Sequence, residues 1–248
     1  IPLSQNLFVA SNHDKTVWVV FNGEIYNHKE LRKSLTKGQI PQTKSDSEII
    51  VHLYEEKGSS CVHDFDGVFS FIVVHGQTIF AARDPMGVKP LYYGEGKDGS
   101  LWFASEMKSL IDVCKTVSIF PPGHYYHSDE GFVQYYAPNY FSPSFVPTLG
   151  PERLEELLTK AVKKRLMSDA PLGVLLSGGI DSSLVTSLAK NNKSDIKTYS
   201  VGFKNKLFDE STYAQKISNH IKTNHKSFLL DTTNIDNIIE QLPEIYDE

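Results

Sequence analysis

The run Gly173-Val174-Leu175-Leu176-Ser177-Gly178-Gly179-Ile180-Asp181-Ser182-Ser183 constrains the fold of this chain more than any other segment, because an apolar stretch opens into a loop of small residues that then starts a helix. Gly173 to Leu176 predicts a short buried strand, and Leu184, Val185, Leu188 and Ala189 recur with helical spacing just beyond the loop. Ser177 to Ser182 therefore occupy a strand-to-helix turn. At such a turn the first backbone N–H groups of the helix lack internal partners and the positive end of its dipole faces the loop, so an anion is attracted. Glycine at 178 and 179 lets the backbone approach an anion without a Cβ in the way. The spacing from Gly173 to Gly178 fits the start of a Walker A loop, but Gly179-Ile180 stand where that motif needs Lys and then Ser or Thr. A kinase-type phosphate loop is excluded.

The rest of the chain narrows the class of protein. Its 248 residues are enough for two ordinary domains, and a net charge of −5 gives no reason to expect nucleic acid or an anionic membrane as partner. No run approaches the roughly 18 consecutive apolar residues of a membrane helix. The two cysteines, Cys61 and Cys114, are far apart and outside any metal-ligand spacing, which points to buried small hydrophobes and a reduced, cytoplasmic setting. The first residue is Ile1 and the last ones, Leu242 to Glu248, bring no closing element, so the expectation is a piece of a longer protein.

Residues 1–141 are rich in aromatic and β-branched runs punctuated by turns, whereas strands and helices alternate in 152–248; residues 142–151, with Pro143, Pro147, Gly150 and Pro151, read as a linker. In the first part Val17 to Phe21 predicts a near-continuous apolar strand, and Val68 to His75 with Thr78 to Arg83 predicts a hairpin over Gly76-Gln77. Further strands are expected at Leu101 to Ala104 and Tyr125 to Tyr136, giving an antiparallel sheet core with helices, an α+β domain. The second part predicts a helix from Glu152 to Met167, a strand from Leu172, a helix over 181–190, a strand at Lys197 to Val201, a helix over 209–222 and a strand at Lys226 to Leu230. That order is the start of an α/β doubly wound parallel sheet, whose ligands bind at the carboxyl ends of the strands. Two motifs are set aside: Gly94-Glu95-Gly96-Lys97-Asp98-Gly99 joins two strands and is a hairpin turn, and His124 and His127 are three apart on a strand and point to opposite faces.

A second constellation lies near the start. Phe21-Asn22-Gly23-Glu24-Ile25-Tyr26-Asn27 follows the first strand, and Asn-Gly alone is a tight-turn signal. Further on, Lys44-Ser45-Asp46-Ser47-Glu48 opens a helix, with Ser45 and Glu48 spaced as a capping box and Asp46 in the first turn. Taken as a pair these segments resemble the glutaminase domain of class II glutamine amidotransferases, and Ser-Gly-Gly-Ile-Asp-Ser-Ser resembles the pyrophosphate-binding loop of the ATP pyrophosphatases. Ala82 to Tyr93, Phe103 to Leu110 and Phe120-Pro121-Pro122-Gly123, together with the order of the two domains, make the whole chain similar to the glutamine-dependent asparagine synthetase family.

The resemblance implies an N-terminal-nucleophile-type glutaminase domain followed by part of an ATP pyrophosphatase domain. It implies that Asn22 and Gly23 form an oxyanion hole and that Asn22, Gly23, Glu24 and Asp46 bind glutamine, with Asp46 on its α-ammonium. ATP would be held by Leu176, Ser177, Gly178, Gly179, Asp181, Ser182 and Val201, and Mg²⁺ by Asp181. Ammonia released from glutamine by an N-terminal cysteine, with its own amine as base, would displace AMP from adenylated aspartate. The implied partners are glutamine, aspartate and ATP, with a homodimer common in the family. Against that pattern the cysteine, an upstream arginine segment and a downstream Ser-Gly-rich acidic loop have no counterpart in these residues, and Cys61 and Cys114 lack the adjacent α-amine. The same residues also fit an enzyme that amidates or cyclises another carboxylate, or a non-catalytic relative.

Overall fold

A computed structural model describes residues 9–36, 41–138, 150–204, 207, 209–230 and 235–246 of the chain. The chain divides into two compact units, Ile1–Ser142 and Pro143–Tyr246. Most of the sequence-assigned linker falls outside the described residues.

The first unit runs β1 (Val9–Ser11), β2 (Val17–Ile25), α1 (His28–Ser34), α2 (Ser47–Lys57), a 3-10 helix (Gly58–Asp64), β3 (Gly67–His75), β4 (Thr78–Arg83), β5 (Tyr92–Gly96), β6 (Leu101–Ala104), α3 (Lys108–Ile111), β7 (Cys114–Ile119), β8 (His124–His127) and β9 (Gly131–Gln134). Six strands form one sheet in the order β1-β2-β3-β4-β8-β9 and three form another in the order β6-β5-β7. Every neighbouring pair in both sheets is antiparallel.

Strand β2 alternates along its length: Val17, Val19 and Phe21 are buried while Trp18 and Val20 are exposed. A run that reads as continuously apolar is thus a half-buried strand, as expected where an antiparallel sheet packs on one face. The buried set joins Phe69, Phe71 and Val73 of β3 and Phe80 of β4, and this face meets Ile49, Ile50, Leu53 and Tyr54 of α2. Phe69, Phe71 and Phe80 are fully buried, each contributing about 1.5–3 kcal/mol of hydrophobic stabilisation. Ile72 and Ala81, which belong to the opposite face, pack with Tyr93 and Phe103 of the small sheet around Leu91 and Phe120.

The hairpin over Gly76-Gln77 is present, with His75 opposite Thr78 and Gly76 at φ +61°. Of Gly94 to Gly99, the first three residues belong to β5, with Glu95 opposite Leu101, and the turn to β6 spans Lys97 to Ser100. The segment after β4 is held by one ion-like staple. Asp84 is buried; its Oδ1 accepts from the amides of Met86 and Val88, both at 3.0 Å, and its Oδ2 from those of Lys89 (3.0 Å) and Phe69 (3.2 Å). Arg83 donates from Nε to Lys89 O, from Nη1 to Phe120 O and from Nη2 to Gly87 O. Arg83-Asp84-Pro85 is therefore an internal clasp.

The second unit runs α4 (Pro151–Arg165), β10 (Gly173–Leu175), α5 (Ile180–Asn192), β11 (Lys197–Phe203), α6 (Ser211–Ile221), β12 (Asn224–Leu230) and α7 (Ile235–Ile245). Its three strands pair in the order β10-β11-β12, both pairs parallel, with Gly173 opposite Lys197 and Lys197 opposite Asn224. Val162 of α4 packs with Leu188 and Ala189 of α5. The strand before the small-residue loop is less buried than its apolar sequence suggests: Leu175 is 78% exposed and only Leu176, past the strand end, is buried. Strand β10 is an edge strand, and the face carrying Leu175 is uncovered among the described residues. Helix α7 has no counterpart in the sequence reading, which assigned no element there. Among the described residues no helix is long and apolar enough to cross a membrane.

Candidate functional site

Asn22, Gly23 and Glu24 do not form a turn. They continue β2, paired with Ser70, Phe69 and Val68 of β3. Glycine is required at 23 because the two backbones approach closely: at φ +151°, a Cβ there would lie 2.1 Å from Val68 O and 2.7 Å from Phe69 Cα. An Asn-Gly pair inside a strand, rather than at its end, is thus explained by packing against β3.

A hydrogen bond joins the second half of the constellation to the first. The Ile25 N–H donates to Asp46 Oδ2 at 2.8 Å, so Asp46 lies beside the residue that follows Glu24. Asp46 is the N-cap of α2 and not a member of its first turn. The expected capping box between Ser45 and Glu48 does not form, because Glu48 is turned toward a preceding loop: it accepts from the Gln42 amide (2.6 Å), the Thr43 amide (2.8 Å) and Thr43 Oγ1 (2.6 Å). Those donors offer three bonds where a capping box offers one. Near Asp46, His28 is buried and its Nδ1 has no hydrogen-bond partner among the described residues; burial pushes its pKa below the ordinary 6.5, outweighing the opposing attraction of Asp46.

Sequence reasoning did not single out Ser105, whose Oγ accepts from Asn22 Nδ2 at 3.4 Å. The available signal was its place in Phe103 to Leu110, a segment used for resemblance but not for chemistry. Neither cysteine is placed to act as a nucleophile. Both are buried and free, and burial pushes the Cys61 thiol far above its usual range.

In the second unit Gly178, at φ +90°, turns the chain between β10 and α5. A Cβ there would lie 2.6 Å from Ala214 N and 2.6 Å from Tyr213 C, so the loop is seated against the first turn of α6. Ser177 and Ser182 close the loop upon itself: their hydroxyls are 2.9 Å apart, and Ser182 Oγ accepts from the Ser177 amide at 3.3 Å. Gly179 is the N-cap of α5 and Asp181 lies in its first turn. Leu176 donates its N–H to Tyr199 O at 2.7 Å, which fixes the loop entry to β11.

Val201 is half-exposed on β11, and the following residue, Gly202, is crossed by Asp209, whose Oδ1 would lie 2.8 Å from a Cβ at that position. Asp209 accepts from the Phe203 amide (3.3 Å), the Ser211 amide (3.1 Å) and Ser211 Oγ (2.9 Å), and these bonds, that of Ser211 Oγ foremost, lower its pKa. Asp209 thereby ties the end of β11 to the start of α6. It was legible only as a helix-start signal. Leu176, Ser177, Gly178, Gly179, Asp181 and Ser182 thus stand on one strand-loop-helix segment, with Val201 on the neighbouring strand. Among the described residues no group of three or more His, Cys, Asp and Glu side chains is arranged to hold a metal ion alone. Asp181 and the Ser177 and Ser182 hydroxyls are hard oxygen donors, which suit Mg²⁺ arriving with a phosphate ligand.

The first unit is thus an antiparallel-sheet domain in which the end of β2 is bonded to the start of α2, and the second a parallel-sheet domain with a glycine-serine turn between β10 and α5. The chain belongs to the glutamine amidotransferase domain family, whose model matches residues 5–137, and residues 153–248 match the asparagine synthase family model. Relatives named asparagine synthetase (glutamine-hydrolyzing) include one from Sandersonia aurantiaca, 53% identical over 71% of this chain and 34% of its own length. Another from Zea mays is 44% identical over 88% of this chain and 39% of its own length. A probable asparagine synthetase from Dictyostelium discoideum is 49% identical over 73% of this chain and 34% of its own. The chain spans about a third of the length of these curated relatives.

Proposed function

We propose that this chain provides glutaminase and nucleotide-binding parts of a glutamine-hydrolysing asparagine synthetase: glutamine, aspartate, ATP and water give glutamate, asparagine, AMP and pyrophosphate. The observation that carries the reading is the bond between Ile25 and Asp46, which unites the two acid- and amide-bearing segments in the unit that matches the amidotransferase family. In this reading residues 1–141 are the amidotransferase domain, 142–151 a linker and 152–248 part of an ATP pyrophosphatase domain with a doubly wound parallel sheet.

Asn22 Nδ2 and the Gly23 N–H stabilise the charge that develops on the attacked carboxamide oxygen; a donor of this kind contributes about 3–4 kcal/mol to catalysis. Asp46 binds the α-ammonium of glutamine, and Glu24 completes its hold on the substrate. The thiol that attacks is neither Cys61 nor Cys114, since both are buried.

In the second unit the Ser177 to Ser182 turn binds the pyrophosphate portion of ATP through backbone N–H groups and hydroxyls, and the Leu176 and Val201 backbones flank the adenine nucleotide. Asp181 holds Mg²⁺, which offsets phosphate charge. The aspartate β-carboxylate attacks the α-phosphorus, pyrophosphate leaves, and ammonia then displaces AMP. A cytoplasmic homodimer is the expected setting.

The test is the nucleotide product of the native full-length protein supplied with glutamine, aspartate, ATP and Mg²⁺. The reading requires AMP and pyrophosphate in equal amounts with asparagine. ADP and phosphate as products would contradict it.

A further inference from the structure

Residues 42–45, which lead into Asp46, lie outside any helix or strand. They are nevertheless held from two sides. Glu48, 4% exposed, takes the N–H groups of Gln42 and Thr43 and the Thr43 hydroxyl. Arg32, on α1, supplies the complementary set: its Nη1 donates to Thr43 O at 2.7 Å and its Nη2 to Ser45 O. The guanidinium also lies 3.9 Å from the Glu48 carboxylate. Behind Glu48, the buried His52 ring sits 3.7 Å from its Oε1. Carboxylate and guanidinium thus take the donors and the acceptors of one short segment, a fork geometry that Lys and Gln cannot reproduce.

We propose that Glu48 and Arg32 are positioning residues for glutamine recognition: by clasping residues 42–45 they set where the Asp46 carboxylate stands relative to Asn22 and Gly23. The inference rests on the assignment of Asp46 to the glutamine α-ammonium. The physical need is plain, because a binding carboxylate must be held within about 0.5 Å by residues that are themselves locked. The bond from Ile25 fixes one oxygen of Asp46 but not the chain that carries it. Hydrogen bonds to Glu48 lower its pKa against the opposing effect of burial, so the clasp operates with a charged carboxylate.

The experiment compares Glu48→Gln, Arg32→Lys and Asp46→Asn in the native full-length protein, measuring asparagine formation with glutamine and separately with ammonium chloride, which bypasses glutamine hydrolysis. Because Asp46 holds glutamine equally before and during reaction, the clasp variants are expected to raise KM for glutamine on the order of tenfold with kcat little changed. Turnover with ammonium should stay at the level of the unsubstituted protein. A role in folding alone would instead lower turnover with both nitrogen sources at constant KM, and that result overturns the proposal. If Asp46→Asn raises KM for glutamine while Glu48→Gln and Arg32→Lys leave it within about twofold, the clasp falls and the assignment of Asp46 stands. If Asp46→Asn leaves KM unchanged, that assignment falls and the clasp with it. Should Glu48→Gln not fold, Arg32→Lys, which keeps the charge and loses the fork, decides alone.

Discussion

The amide of Ile25 and the carboxylate of Asp46 meet at 2.8 Å, so the end of β2 and the start of α2 share a hydrogen bond across 21 positions of sequence. Everything proposed for glutamine depends on that meeting point. On one side of it stand Asn22, Gly23 and Glu24; on the other stands a segment governed by Glu48 and Arg32.

Substitution Gly23→Ala should abolish glutamine use and weaken the first unit. Its Cβ would lie 2.1 Å from a backbone oxygen that cannot move without breaking the β2–β3 ladder. Overpacking of this kind costs about 1–3 kcal/mol or more. Thermal melting should show the loss, and turnover with ammonium should suffer less than turnover with glutamine.

Substitution Gly178→Ala should act on the other unit. The residue sits at φ +90° and its Cβ would strike the backbone of Tyr213 and Ala214, so the loop must lift away from α6. ATP binding, followed by calorimetry, should weaken by roughly tenfold or more, corresponding to at least about 1.4 kcal/mol. Glutamine hydrolysis should persist.

Substitution Asp84→Asn tests whether the Arg83-Asp84 clasp is structural. Each oxygen accepts two backbone N–H groups, so an NH₂ in place of either oxygen opposes two donors. Leaving two of these partly buried donors unmatched, at about 1–3 kcal/mol each, should cost roughly 3 kcal/mol in denaturant unfolding of the first unit.

Acid should destabilise the first unit in part through Glu48. Burial alone would raise its pKa, but the bonds from Thr43 Oγ1 and the Gln42 and Thr43 amides prevail and lower it from 4.5. A carboxyl with a depressed folded pKa stabilises fully above its unfolded pKa and loses that contribution as pH falls through the folded one. Stability should therefore decline below about pH 4.5, and Glu48→Gln should have a shallower decline over the same range. An unchanged slope in the variant would argue against a charged clasp.

Much of the fold was legible because local signals and tertiary packing agree. The hairpin over Gly76-Gln77 and the alternation of strands and helices after Pro151 follow from turn residues and periodicity. Other features depend on what lies across the sheet. Val17 to Phe21 looks uniformly apolar, yet only contact with α2 decides that Val17, Val19 and Phe21 face inward. Asn22-Gly23 looks like a turn until the close approach of Val68 accounts for the glycine. The Ser45 and Glu48 spacing fits a capping box, but loop amides at Gln42 and Thr43 outcompete it. Leu175 reads as core, whereas the face of β10 that carries it is uncovered among the described residues. For the same reason Ser105 and Asp209 were missed: their partners, Asn22 and the amide of Phe203, are set by tertiary proximity and by a loop return.

The most direct measurement is nitrogen tracing in the native full-length protein, given glutamine labelled with ¹⁵N at its side-chain amide together with aspartate, ATP and Mg²⁺. The account expects the label in the side-chain amide of asparagine, in amounts equal to the glutamate formed. Label recovered only as free ammonium, or in the amide of some other carboxylate, would contradict it.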